Sequence, residues 1–145
     1  MTPDQAIDNS MHAAFEAAHY RILLGDDSYV LHIGTPSPAP IAEWVSRHAV
    51  SRCAWLMTAH NPNAEQIDAV RNRARDSLLR TWAEQRAITW LETVNEDTEG
   101  GWPDESGVLI AGLEEGEVRA MARRFGQAAI VAVLADSVAT LVWIR

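Results

Sequence analysis

The chain has no lysine: all twelve of its basic residues are arginine. That excludes a lysine Schiff base and a Walker-type phosphate lysine. Cysteine occurs once, at Cys53, so there is no internal disulfide and no cysteine-based zinc motif. No apolar run approaches the roughly 18–20 residues of a membrane span, so no membrane partner is expected. The opening Thr2-Pro3-Asp4-Gln5 lacks the basic-then-apolar profile of a secretory leader, and the expectation is a cytoplasmic protein. Also missing are the Walker loop, the dinucleotide glycine fingerprint and the Gly-x-Ser-x-Gly elbow.

What remains is ordinary globular material. The 145 residues are 48% hydrophobic and 22% charged, enough for one core and too few for two. The expectation is a single domain over 1–145, with an N-terminal helix over 1–18 and an α/β core over 19–145. Twenty acids give a net charge of -8, which disfavours nucleic acid as a partner. The charge is uneven: residues 87–118 hold nine acids and no arginine, and the rest holds eleven acids against twelve arginines. A cation or a cationic partner suits that acidic segment best.

Periodicity and punctuation divide the chain. Thr2 and Gln5 fit a capping box around Pro3, and Ile7, Met11, Ala14, Phe15 and Ala18 follow at helical spacing. Tyr20–Leu24 and Tyr29–Ile33 flank Gly25-Asp26-Asp27-Ser28 as a hairpin. After Pro40, the stripe Ile41, Trp44, Val45, His48 and Ala49 marks a helix. Cys53–Met57 is apolar on both alternating faces, as in a strand covered on both sides. Asn63 and Gln66 suit the start of a helix over 64–86 with Ile67, Val70, Ala74, Leu78 and Trp82 facing the core. Ile88, Trp90 and Val94 alternate as a strand, and Val108–Ala111 forms another after a polar loop. Val118, Met121, Ala122 and Phe125 line a helix with Glu114, Glu115 and Glu117 at its start. Arg123 and Arg124 stand at its end and Gly126 at its cap. Ala128–Leu134 and Val138–Ile144 close the chain as a hairpin. The fold class is α/β, a mixed sheet of six to seven strands with helices packed on it.

The chemistry-bearing residues cluster after the central strand. Ligands of open α/β sheets bind beyond the carboxyl ends of strands. Thr58 and His60 share a face there if the strand continues, and Asn61 precedes Pro62, which favours an extended backbone. The alternative is that Thr58 and Asn61 simply build the turn. Cys53 and His60 lie about 23 Å apart on opposite faces of an extended strand, which excludes direct pairing. Cys53 reads as a buried small hydrophobe. His12, Glu16 and His19 are spaced for one helical face, but as a solvated face; no metal site is expected. Glu105 is a candidate general base at the end of the polar loop, which Trp102-Pro103 anchors. Gln127, after Gly126, can bond backbone or reach a ligand. The long helix carries Arg71, Arg73, Arg75 and Arg80 among nearly as many acids, with Arg80 and Glu84 spaced for a surface pair.

Taken in order, Thr58-Ala59-x-Asn61-Pro62, Asn72, Trp102-Pro103-x-Glu105-Ser106 and Phe125-Gly126-Gln127-Ala128 resemble a bacterial family, over about residues 18–134. It is the family catalogued as domain of unknown function 3293. The resemblance implies a fold unit and signature positions, not a reaction. Those positions are Thr58, Asn61, Asn72, Glu105 and Gln127. Where the family often has an aromatic residue this chain has His60, which argues against a catalytic His60. Asn72 points about 140° from Ile67 on the helical wheel, toward a loop or solvent. Neutral amides with one carboxylate suit hydrogen-bond recognition better than nucleophilic attack.

Three readings compete. In the first, Thr58, Asn61, Asn72, Glu105 and Gln127 converge on a small ligand, in a binding domain or an enzyme, with no cofactor implied. In the second, the chain is a protein-interaction or homo-oligomeric module, using its six tryptophans and an edge strand over Val138–Ile144. In the third, the signature residues only bond backbone.

Overall fold

The computed structural model describes residues 11–86 and 89–144. The capping box at Thr2–Gln5, Ile7 and Ile88 lie outside them. The elements in order are α1 (residues 11–17), β1 (His19–Leu24), β2 (Asp27–Leu31), α2 (Ala39–His48), β3 (Cys53–Thr58) and α3 (Ala69–Gln85). Then come β4 (Trp90–Glu96), β5 (Glu105–Ile110), α4 (Glu115–Arg124), β6 (Ala129–Leu134) and β7 (Thr140–Trp143). Short 3-10 turns occupy Val50–Arg52 and Pro62–Ala64.

The seven strands form one sheet in the order β2-β1-β4-β5-β3-β6-β7. Every pair of neighbours is antiparallel, so the sheet is not mixed. The reason lies in the three helical crossovers, of which α2 takes the chain from β2 past three strands to β3. α3 carries the chain from β3 to β4, and α4 carries it from β5 to β6. A helical crossover ordinarily makes parallel neighbours. Here β5 slots between β3 and β4, and β3 slots between β5 and β6, so each of these two crossovers spans an intervening strand of opposite direction. The rule placing ligands at the carboxyl ends of parallel strands therefore does not apply. The end of β3 instead lies beside the start of β5, with Thr58 opposite Gly107.

The sheet curls. Beyond β2, Ile33 bridges Ala139 and Pro36 bridges Val138, just before β7. Gly34 N–H donates to Ala139 O at 2.8 Å and Ala139 N–H to Thr35 O at 3.0 Å. The two edges thus meet at one end, as in a half-barrel. One core fills the concave face and draws on both edges: Leu31 and Ala139 meet Ile22, Leu56, Leu109 and Val133 beneath Ile41, Trp44 and Val45 of α2. The other face packs Trp55, Met57, Val108, Ile110 and Ile130 against Leu79 of α3 and Val118 and Ala122 of α4. β3 supplies both cores from alternate positions, as its doubly apolar sequence predicts. The cores accommodate the tryptophans: Trp44 and Trp55 are buried and the other four are partly buried.

Several expected boundaries move. α3 begins at Ala69 rather than 64, because Asp68 is its cap, accepting the Arg71 N–H at 2.8 Å. Its inward face holds Asn72, Leu79 and Ala83. Val70 and Leu78, expected in the core, are 68% and 62% exposed. His19 opens β1 and packs edge-on against His32, 4.7 Å between ring centroids, so it shares no helical face with His12 and Glu16. Arg80 pairs with Asp76 and Glu92, not with Glu84. β5 begins at Glu105, three residues earlier than the apolar run suggests. Gly126 does follow α4 in the left-handed region, φ 66°, and Gln127 N–H closes the cap on Ala122 O at 2.9 Å.

Candidate functional site

β3 ends at Thr58, so alternation does not carry through to His60. Asn61 is left-handed, φ 50° and ψ 64°, not extended as its place before proline suggests. Asparagine tolerates that region because its short amide bonds locally. Every turn of the chain here is held. Thr58 Oγ1 donates to Ser106 O at 2.9 Å and accepts His60 N–H at 3.0 Å. Arg75 donates from Nε to Ala59 O at 2.6 Å and from its other nitrogen to Phe125 O. Gln127 Nε2 donates to His60 O at 2.9 Å and Phe125 O at 3.2 Å, so its bonds are to backbone.

Asn61 and Asn72 form the centre of the network, and both are buried. Asn61 N–H donates to Asn72 Oδ1, and Asn72 Nδ2 returns a bond to Asn61 Oδ1, each at 2.9 Å. Asn61 Oδ1 also accepts Ile67 N–H at 3.1 Å. Asn72 therefore faces a loop, the 61–67 segment, rather than solvent. Asn61 Nδ2 donates to Glu105 Oε2 at 2.7 Å, and Trp102 Nε1 donates to the same oxygen at 2.8 Å. One partly buried carboxylate is thus clamped by two neutral donors. Its other oxygen, Oε1, takes no hydrogen bond among the described residues, and Glu105 is in no ion pair there.

Three of the five sequence candidates, Asn61, Asn72 and Glu105, are joined directly. Thr58 is tied in through the backbone beside Glu105, and Gln127 through the backbone beside Asn61. The sequence reading missed four other residues. Trp102 bonds Glu105 through its indole rather than merely packing. Arg75 clamps the turn from α3. Thr93 and Asn95 stand on β4, on the concave face, and the signal for them was a threonine and an asparagine two apart beside Val94. Thr93 is 1% exposed, and neither its Oγ1 nor Asn95 Oδ1 has a hydrogen-bond partner among the described residues.

Electrostatics distinguish the site's groups. His60 is half-buried, and burial pushes its imidazole below the usual histidine range, against the opposing pull of Glu105 and Asp76. The ring makes no hydrogen bond among the described residues. Tyr20, in register with Asn95, has its hydroxyl raised by burial and secondarily by Glu105, and donates to Phe15 O at 2.9 Å. Cys53 is pushed up to about 11, chiefly by burial, and is a packed thiol rather than a nucleophile. On the other side of the sheet, Arg80 gathers Asp76 at 3.0 Å, Glu92 at 2.5 Å and Ser106 Oγ at 2.8 Å. Among the described residues, no three His, Cys, Asp or Glu side chains are grouped to hold a metal.

The arrangement defines a class: a curled antiparallel α/β domain whose polar network ties a strand-end turn to a carboxylate on the neighbouring strand. Residues 57–130, just over half of the chain and including all five signature positions, match the family described as protein of unknown function (DUF3293). The chain belongs to that family. No curated protein and no solved structure matches it.

Proposed function

We infer that this domain binds a small molecule at the polar end of the half-barrel, with Glu105 as the anchoring group. The observation that carries this is the unengaged Oε1 of a carboxylate whose other oxygen is fixed by Asn61 and Trp102. Such a clamp holds the carboxylate in one orientation before a ligand arrives, which lowers the cost of ordering on binding. Glu105 and the half-buried, unbonded His60 ring are the groups able to move a proton, should the bound molecule react. The remaining signature residues hold the clamp. Asn72 fixes Asn61, and Thr58 and Gln127 fix the backbone on either side.

A thermal-shift screen of metabolites and nucleotides tests this, repeated on Asn61→Ala and Glu105→Gln. A ligand shift seen in the parent chain and lost in both variants is the expected result. A shift that persists in both, or variants that lower the melting temperature while no compound acts on the parent, would leave the network a purely structural device.

A second reading is favoured by α3. Its outward stripe of Val70, Ala74 and Leu78 is unusual for a monomer's surface helix. A self-associating or partner-binding role is read by light scattering on the parent chain and on a Val70→Gln, Leu78→Gln variant. The proposed edge strand is less open than its sequence suggests, because Trp143 stacks on His12 and meets Phe15 edge-on, both in α1.

A further inference from the structure

The concave face beside Glu105 is unusually rich in acceptors. Strand register sets two adjacent rows there. In one, Tyr20, Asn95 and Glu105 stand side by side on β1, β4 and β5. In the next, Ile22, Thr93, Gly107 and Thr58 do the same. Directly opposed residues share a face with Cβ atoms about 4.5–5.5 Å apart. Gly107 lets the second row pack closely: a Cβ there would lie 2.5 Å from Met57 O and 2.9 Å from Thr93 Oγ1. Thr93 thus leans over the glycine, between Thr58 and its own strand.

The donors that surround Glu105 and the 58–61 turn are engaged. Asn61 Nδ2 and Trp102 Nε1 serve Glu105, Asn72 Nδ2 serves Asn61, Tyr20 serves Phe15 O and Thr58 serves Ser106 O. Three oxygens are left without a partner among the described residues: Asn95 Oδ1 and Thr93 Oγ1, both buried, and Glu105 Oε1, the one that carries negative charge. A buried polar atom without a partner is costly, and native structures hold few of them. Glu105 carries a charge that no arginine balances by an ion pair, inside the segment 87–118 that holds nine acids and no base. A ligand that satisfies this face brings N–H donors and positive charge.

We propose that the site takes the ammonium or guanidinium end of a small cation. Glu105 Oε1 is the counter-charge, and Asn95 Oδ1 and Thr93 Oγ1 accept its N–H groups. This rests on Glu105 being a ligand anchor, as inferred above. An anion is disfavoured because it would meet a carboxylate that no ion pair balances.

The Trp102 indole N–H is bonded to Glu105 and reports on the site directly. Its 15N–1H cross-peak, assigned by its loss in Trp102→Phe, is followed while the full chain is titrated with four probes of matched size: butylamine, butylguanidine, butyramide and butyrate. The expected result is a saturable shift with the two cations. Binding should weaken at least about tenfold in Glu105→Gln, since a charge-assisted bond is lost, and several-fold in the isosteric Thr93→Val. Butyramide shifting the peak as strongly as butylamine would overturn the requirement for charge. Butyrate alone shifting it would overturn the proposal while leaving Glu105 in a ligand site. No probe moving the peak would overturn the proposal; the broader screen then decides separately whether the site binds anything.

Discussion

Helices α2 and α3 pack on opposite faces of the same sheet and are held there by different physics. α2 presses Ile41, Trp44 and Val45 into the concave core, and its polar residues face water. Burial of three large apolar side chains holds it, a force without direction. α3 turns Asn72, Arg75, Asp76 and Arg80 toward the domain along with Leu79 and Ala83, and leaves Val70 and Leu78 outside. Its inward polar groups reach the 59–61 turn, Phe125 O and Ser106. Directional bonds of this kind contribute modestly to stability but fix a geometry. The helix that carries the site is therefore the one whose polar face was turned inward.

This contrast has consequences that differ in size. Trp44→Ala in α2 should destabilise by about 3–5 kcal/mol, through lost transfer energy and a cavity. Urea unfolding read by far-UV circular dichroism checks this; a loss under about 1 kcal/mol would mean α2 is not held by its apolar face.

Asn72→Ala in α3 should cost about 1–3 kcal/mol, because it strands the buried Asn61 N–H and leaves Asn61 Oδ1 with the Ile67 N–H alone. A double-mutant cycle with Asn61→Ala should show coupling of about 0.5–3 kcal/mol. Additive effects would show that the paired amides act independently.

His60 sits against the same inward face of α3, and its contribution appears as a slope with pH. Its folded-state pKa lies below the unfolded value of about 6.5. Below that value the unfolded chain binds the proton more readily, so acid favours unfolding. The stability is fully present above about 6.5 and falls as pH drops through the folded pKa. His60→Phe should flatten this part of the profile, as measured by melting temperature between pH 7.5 and 5. An unchanged profile would assign the slope to other groups.

The smallest effect belongs to the outward stripe. Leu78→Gln should change stability by no more than about 0.5 kcal/mol, as exposed positions do. A much larger loss that depends on protein concentration would mean that Leu78 is covered by another chain.

The legible and illegible parts of the sequence divide along the same line. The Ile41–Val45 stripe, the doubly apolar Cys53–Met57 run, the hairpin around Gly25 and the charged ends of α4 each depend on near neighbours, and each is found, though β2 starts at Asp27, two residues earlier than expected. The stripe expected for α3 is inward only in part: Trp82 packs on the core, but Val70 and Leu78 are exposed. Hydrophobic periodicity finds the apolar face of a helix, but α3 is turned by hydrogen bonds to residues up to 50 positions away. Among the site residues, Thr58, Asn61 and Glu105 drew notice as polar groups at strand and loop ends, and Gln127 as a polar group at a tight helix-to-strand corner. Asn72 was visible only through the family resemblance, and Thr93 and Asn95 not at all. A threonine and an asparagine in a half-buried strand look like a solvated face until the curl of the sheet puts that face inside.

Composition and local pattern alone determined that this chain makes one α/β domain with β3 inside its sheet, an acidic segment at 87–118 and no lysine chemistry or internal disulfide. Those properties follow from counts and from contacts within a few residues. Tertiary structure decided that the sheet is antiparallel, because strands inserted between the crossover partners. It also decided which residues of α3 face inward, and that Asn61, Asn72, Trp102 and Glu105 are one network. Each of those outcomes depends on residues far apart in the chain meeting in a particular register, and a register is a property of paired strands that no single segment carries.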